Sequence, residues 1–462
     1  MLKKIVTLLL CGFAEATQLL QPAPSLFVNS VDMSTLSQRG AKSAALQHVP
    51  WRFAPGGNNR YDKDKNPTGV VAFATAENNL VQDELVKYVN DNITFQATDF
   101  LYRGSTNGGA KFPKAMASHI NAFFKPFSPV QASDLITTSG LTPMHHLTAL
   151  SIGDPGDGIL VGRPIYGRFE LDFGNVAGLK IVYADMDGVD PFGENGDVIE
   201  RYEIAFEKAL KSGIKVKAVM IVNPNNPTGR CYTKDALVGL MKFAQKHKIH
   251  LISDEVYALS TFDNKTSRYS SFTSVLSINR TNLISDDLLH VFYGMSKDFG
   301  AAGLKLGCIV TQDAALKDAI SSNTRFSGPS GMSAAIATKI LEDKAFVSSF
   351  ITLSRERIRD AYVYTTKFLD EIGVQYWKGG NAGFFIYIDL SPYLSGNSSV
   401  SMSASDNPEF DLAQKLLDAG VGLHPREEHW EKPAFFRLVF TQERHVLQEG
   451  LNRLKSALQS TK

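Results

Sequence analysis

Residues 218–229 read Ala218-Val219-Met220-Ile221-Val222-Asn223-Pro224-Asn225-Asn226-Pro227-Thr228-Gly229. A run this short and this apolar reads as a strand buried on both faces. The two Asn-Pro steps and the closing Gly make a rigid turn, because a residue before Pro is held extended and Gly tolerates the tight bend. The same texture recurs on either side. Leu135–Thr138, Ile159–Val161, Ile181–Tyr183, His250–Ser253, Leu289–Tyr293 and Gly307–Val310 are also strand-like, and helix-length segments separate them. The fold expected is therefore α/β, a sheet covered by helices. Ligands bind such sheets at the carboxyl ends of the strands, so the polar residues there are the candidates for chemistry.

Three strand ends stand out. Asp254-Glu255-Val256-Tyr257 follows the strand at 250–253; alone, the acidic pair would serve equally well as a helix N-cap or first-turn carboxylate. The 223–229 turn alone would be a tight loop. Ser296-Lys297-Asp298-Phe299-Gly300 follows the strand at 289–293 and leads into Ala301-Ala302-Gly303-Leu304-Lys305-Leu306-Gly307. A lysine among small and apolar residues loses water, which lowers its pKa and makes it a competent amine nucleophile. Together these segments supply what a Schiff-base cofactor needs. The needs are a lysine amine, a carboxylate facing a protonated ring nitrogen, donors at a ring hydroxyl, and N–H groups with cations around a phosphate.

With Ala76-Glu77-Asn78 and Phe435-Phe436-Arg437 added, the set resembles the class I/II aminotransferases, fold-type I enzymes dependent on pyridoxal 5'-phosphate (PLP). The resemblance is closer to the branch holding 1-aminocyclopropane-1-carboxylate (ACC) synthases and their aminotransferase relatives, and it runs from Leu36 to Ser456. It implies a three-layer αβα large domain at 102–333. It also implies a smaller α+β domain built from an N-terminal arm at 17–101 and a C-terminal segment at 334–462. It implies that Lys297 carries PLP as an internal aldimine and then moves the Cα proton, that Asp254 pairs with the pyridine nitrogen, and that Asn226 and Tyr257 bond the ring hydroxyl. Tyr166 would stack on the ring, although by itself it reads as core packing. Leu141 and Thr142 would hold the phosphate at a helix start, and Tyr102 would reach the phosphate of a neighbouring subunit in a homodimer with shared sites. Arg437 would clamp the substrate α-carboxylate with its two-pronged guanidinium, and Glu77 matches a substrate-side glutamate of ACC synthases. Two positions depart from the pattern: Gly294 stands where the family has Ser, and Lys305 where it has Arg. Both touch phosphate binding, and weaker cofactor retention is expected.

The function these residues point to is transfer of an amino group between an amino acid and a 2-oxo acid. The alternatives are a PLP lyase such as ACC synthase, or a secreted binding protein of low turnover that has kept the fold. His145-His146 would suit a metal, but no second ligand cluster stands at useful spacing, so the pair reads as helix surface and no metal is expected.

After Thr311 the pattern changes to a long helix over Ala334–Leu369, a strand at Phe384–Leu390, a helix at Leu412–Ala419 and a strand at Phe436–Phe440. Ser395–Ser405 reads as a surface loop. Lys and Arg number 48 against 47 Asp and Glu, and the near-neutral balance gives no charge for nucleic acid or an anionic membrane surface. Three cysteines, Cys11, Cys231 and Cys308, build no disulfide framework. Four Asn-x-Ser/Thr sequons, at Asn92, Asn264, Asn279 and Asn397, permit secretion without arguing for it. Lys3 and Lys4, the apolar run Ile5–Ala14 and Ala14-Glu15-Ala16 have the form of a signal peptide over 1–16, too short to span a bilayer. A secreted chain is expected, with a cytoplasmic one as the alternative. Expression in a secretory cell should yield a mature chain beginning at Thr17, and N-terminal sequencing that finds Met1 on cytosolic protein would contradict the signal.

Overall fold

The computed structural model describes residues 35–47, 49, 51, 59–102, 106–186, 188–193, 198–264, 269–394, 408–425 and 433–460. The signal-like segment, the 395–405 loop and the Asn397 sequon lie outside them.

A seven-stranded sheet forms the larger layer. Its strands are β2 (Leu135–Thr138), β3 (Gly158–Gly162), β4 (Lys180–Ala184), β5 (Val216–Val222), β6 (His250–Asp254), β7 (Leu289–Gly294) and β8 (Gly307–Thr311). They follow β1 (Val71–Ala72) of the N-terminal arm, and their order is β2-β8-β7-β6-β5-β3-β4. The pairs from β4 through β7 are parallel; β8 runs antiparallel to both β7 and β2. All seven strands foreseen in the sequence are present. Side chains alternate between two cores, as the strand period of two requires. Val219, Ile221, Leu251, Val291 and Tyr293 enter one core. Ala218, Met220, Val222, Ile252 and Phe292 enter the other. Burial on both faces is why these strands read as continuous apolar runs.

Helices cover each face. The helix Leu141–Ile152 lays Met144, Leu147, Ala149 and Ile152 on the Ile252 side. The helix Lys234–His247 covers the opposite side with Leu237, Leu240, Met241 and Ala244. Thr233 caps it by accepting from the Ala236 N–H, and Lys248 in the left-handed region (φ 52°) ends it just before β6.

A second core gathers β9 (Gln375–Tyr376), β10 (Phe385–Asp389), β11 (Val421–Gly422) and β12 (Phe435–Val439). The sheet order there is β12-β10-β9, and β11 pairs in parallel with β1, so the N-terminal arm is built into this core. The single long helix expected over 334–369 is two, Gly331–Glu342 and Lys344–Glu371. The break has a local cause: the Asp343 carboxylate caps the second helix by accepting from the Phe346 N–H at 2.9 Å. Val347, Phe350 and Ile351 of that helix pack into the sheet's core, whereas Ile358, Ala361 and Leu369 pack into the second. The change of core therefore comes within this helix, between Ile351 and Ile358, rather than at 333/334. No helix among the described residues is long and apolar enough to cross a membrane.

Candidate active site

The parity of β6 decides where its last side chain goes. Asp254 shares the face of Ile252 and pairs across to Val222 and Phe292, so it lies under the helix Leu141–Ile152. That helix meets it with His145. His145 is 3% exposed. Its Nδ1 lies 2.8 Å from Asp172 Oδ2 and its Nε2 3.7 Å from Asp254 Oδ2, an ion-pair distance too long for a hydrogen bond. Burial pushes the imidazole pKa down, but Asp172 and then Asp254 outweigh it and raise it to about 9. A histidine with a raised pKa contributes stability that is present below its unfolded pKa and lost as pH rises through about 9. His145 is thus not the surface residue the sequence suggested. The signal was available: with Met144, Thr148 and Ile152 it occupies the apolar face at helical spacing. The described residues hold no group of three His, Cys, Asp or Glu that could bind a metal.

Lys297 lies beyond the end of β7, half-buried, with Nζ donating to the Ala76 carbonyl at 2.6 Å. Burial and then the Arg437 cation lower its pKa to about 8, Lys305 acts in the same direction, and Glu77 and Asp254 oppose them. Nζ stands 5.9 Å from the centre of the Tyr257 ring. Tyr257 packs edge-on against Phe384 and Phe385 at the border of the second core. Burial drives its hydroxyl pKa far up, so the phenol keeps its proton and can donate. Arg437 comes from β12, opposite Tyr387, is buried, and donates to Asn226 Oδ1 at 3.0 Å and to the Ala74 carbonyl at 2.7 Å. The arm segment from Ala74 to Glu77 thus bridges the two cores over Lys297, and Thr441 fastens it by donating to the Glu77 carbonyl at 2.6 Å. Tyr166 is half-buried and edge-on to Phe169.

The start of the helix Leu141–Ile152 has the form of an anion cradle. Gly140 precedes it with φ 103°, no side chain caps the first turn, and a Cβ on Gly140 would meet nothing within 4 Å. Leu141 and Thr142 therefore present N–H groups at an open helix N-terminus. Gly294 and Gly307 pair across β7 and β8 beside this start. A Cβ on Gly307 would come within 3.0 Å of the Gly140 carbonyl carbon, and one on Gly294 within 2.7 Å of the Leu306 carbonyl oxygen. Gly294 is thus a backbone contact that has no room for a side chain. Lys305 is exposed in the left-handed region (φ 49°).

The structure therefore gathers Lys297, Asp254, Tyr257, Asn226, Arg437 and Glu77 around one point, with Lys305 near enough to act on Lys297. It does not bring Tyr102 to them: that side chain is 95% exposed. Sequence reasoning gave no role to Asp172, Glu255 or Asp298. Glu255 points into the core, where it accepts from Ser274 Oγ, the Val275 N–H and Ser253 Oγ. Burial still raises its pKa to about 7.

A half-buried lysine, a strand-end carboxylate and an anion cradle on an αβα sheet define the fold-type I class of PLP-dependent enzymes. A family model described as "Aminotransferase class I and II" matches residues 57–454, so the chain belongs to that family. It lies in the ACC synthase-like branch. It is 28% identical to the mouse "probable inactive 1-aminocyclopropane-1-carboxylate synthase-like protein 2", over 96% of this chain and 77% of the relative. It is 29% identical to 1-aminocyclopropane-1-carboxylate synthase 6 of Oryza sativa subsp. japonica, over 87% of this chain and 75% of that one. Among solved structures, the aspartate aminotransferase from Thermus thermophilus with maleate shares the fold, with a TM-score of 0.67. Its identity is 19%, over 91% of this chain and 97% of that one.

Gly294→Ser is expected to lower stability by about 1–3 kcal/mol through overpacking and to leave phosphate affinity no better. Thermal unfolding and a PLP titration would check both, and a fully stable serine variant with tighter binding would show that the strand pair has room.

Proposed function

We propose that this chain binds PLP on Lys297 and uses it to transfer the amino group of an amino acid to a 2-oxo acid. Members of the family use this cofactor, and the residues fit it. The observation that carries the reading is the place of Lys297, half-buried beyond the end of β7 with Nζ on the Ala76 carbonyl, where burial and the Arg437 charge lower its pKa. An amine with a pKa near 8 is unprotonated often enough at neutral pH to attack an aldehyde.

Bound here, PLP would supply the aldehyde and an aromatic ring able to accept the electron pair left when a proton leaves the substrate Cα. This chain's residues would do the rest. Asp254, with His145 behind it, would hold a proton on the ring nitrogen, and Tyr257 would donate to the ring hydroxyl beside Asn226. The N–H groups of Leu141 and Thr142, with Lys305, would take the phosphate, and Tyr166 would cover the ring. Arg437 would hold the substrate carboxylate through charge-assisted hydrogen bonds. Lys297, once released by substrate, would carry the proton to and from Cα. Tyr102, with its ring in solvent, would reach the phosphate of a second copy, so a homodimer with shared sites belongs to this proposal, as does entry into the secretory route.

A second reading is a lyase, in which a leaving group departs instead of an amino group being passed on. Two observations favour it. Glu77 is close enough to raise the Lys297 pKa, and the rice relative is named an ACC synthase.

Product analysis with an amino acid donor, with and without a 2-oxo acid, separates the two. Transamination should give product only in stoichiometric amount until the oxo acid is added; continuous turnover without it would establish the lyase. Asp254→Ala should keep PLP attached and cut turnover roughly 100-fold or more. Near-parental turnover would remove Asp254 from this role.

A further inference from the structure

The loop carrying Lys297 and the turn carrying Tyr257 leave the ends of neighbouring strands, and their regular pairing stops at Asp254 and Phe292. Beyond that point something else must fix one against the other. Asp298 is placed to do so. It is bonded in sequence to Lys297, yet its side chain is buried, 1% exposed. Oδ2 accepts from the Leu259 N–H at 2.9 Å and from the Tyr293 hydroxyl at 3.0 Å, and Oδ1 accepts from Ser260 Oγ at 2.6 Å. Arg355 grips the same turn from its other side, with Nε donating to the Leu259 carbonyl at 2.8 Å. The turn is tied internally by the Ser260 N–H, which donates to the Tyr257 carbonyl at 3.0 Å. From behind, His119 Nε2 lies 3.2 Å from the Tyr293 oxygen.

Burying a carboxylate is costly unless donors surround it. Burial raises the Asp298 pKa to about 6 against the three donors and Arg355, so at neutral pH the group is chiefly ionised and can use both oxygens. The Asp298 charge reaches the Tyr257 hydroxyl, whose pKa it helps to raise behind burial. Its hold on the Lys297 loop is through the bonds to Leu259 and Ser260.

We propose that Asp298 is a positioning residue that fastens the Lys297 loop to the Leu259–Ser260 peptide and so fixes the Lys297 amine relative to the Tyr257 hydroxyl. The inference rests on the reading that Lys297 carries PLP. A mere packing staple would weaken the protein in the same way whether or not Tyr257 has its hydroxyl. A positioning residue loses part of its effect once the group it positions is gone.

The test uses the full chain, freed of cofactor and titrated with PLP, with uptake followed by absorbance and the attachment point mapped after borohydride reduction. Asp298→Ala and Asp298→Asn are each made in the parent and in Tyr257→Phe. Asp298→Ala should weaken PLP capture about tenfold in the parent and about threefold or less in Tyr257→Phe. Asp298→Asn, isosteric and able to accept through one oxygen, should fall between Asp298→Ala and the parent. If Asp298→Ala does not fold, the same comparison is made with Asp298→Asn, and a smaller loss in Tyr257→Phe is again the supporting result. Equal losses in the two backgrounds, or none in either, would overturn the role of Asp298 alone. A parent chain that takes no PLP on Lys297 would overturn the cofactor reading and this inference with it.

Discussion

An amine that is to attack a carbonyl near neutral pH must give up its proton without losing the charges that will later guide it. At Lys297 burial and the Arg437 cation favour the neutral amine, while Glu77 and Asp254 limit the shift and leave the pKa at about 8. Three parts of the molecule meet at that amine. Parallel β5, β6 and β7 end side by side, which brings the Asn226 turn, Asp254 and Lys297 to one edge of the sheet. The second core is needed because the cation comes from β12. The arm is needed because the carbonyl of Ala76 closes over the amine.

The sheet was legible because a strand buried on both faces cannot hide its composition: runs such as Ala218–Val222 admit few other readings. The polar residues at the strand ends were legible for a related reason, since they stand out against apolar runs. What escaped was whatever depends on which way a side chain turns. His145 sits on a helix with low amphipathic contrast, apolar nearly all round, so an inward histidine could be told from an outward one only by its spacing from Met144 and Thr148. Asp298 was visible as part of the Ser296-Lys297-Asp298 motif. That its carboxylate reaches back to Leu259 and Ser260 is a contact spanning 38 and 39 residues, which no local pattern encodes.

Gly294 is a departure whose surroundings the sequence does not show. The sequence shows a missing hydroxyl near the phosphate cradle. The structure shows two facing glycines that let β7, β8 and the start of the helix Leu141–Ile152 approach closely. The glycine serves backbone packing here, beside a helix start that no side chain caps.

The proposed role of Lys297 is that of the one lysine among the described residues set up to bond the cofactor. It is tested most directly by loading the full chain with PLP, reducing with borohydride, digesting and locating the pyridoxyl group by mass spectrometry. The label should fall on the peptide holding Ser296-Lys297-Asp298, at one group per chain. A label on another lysine, or none after saturation with PLP, would contradict it.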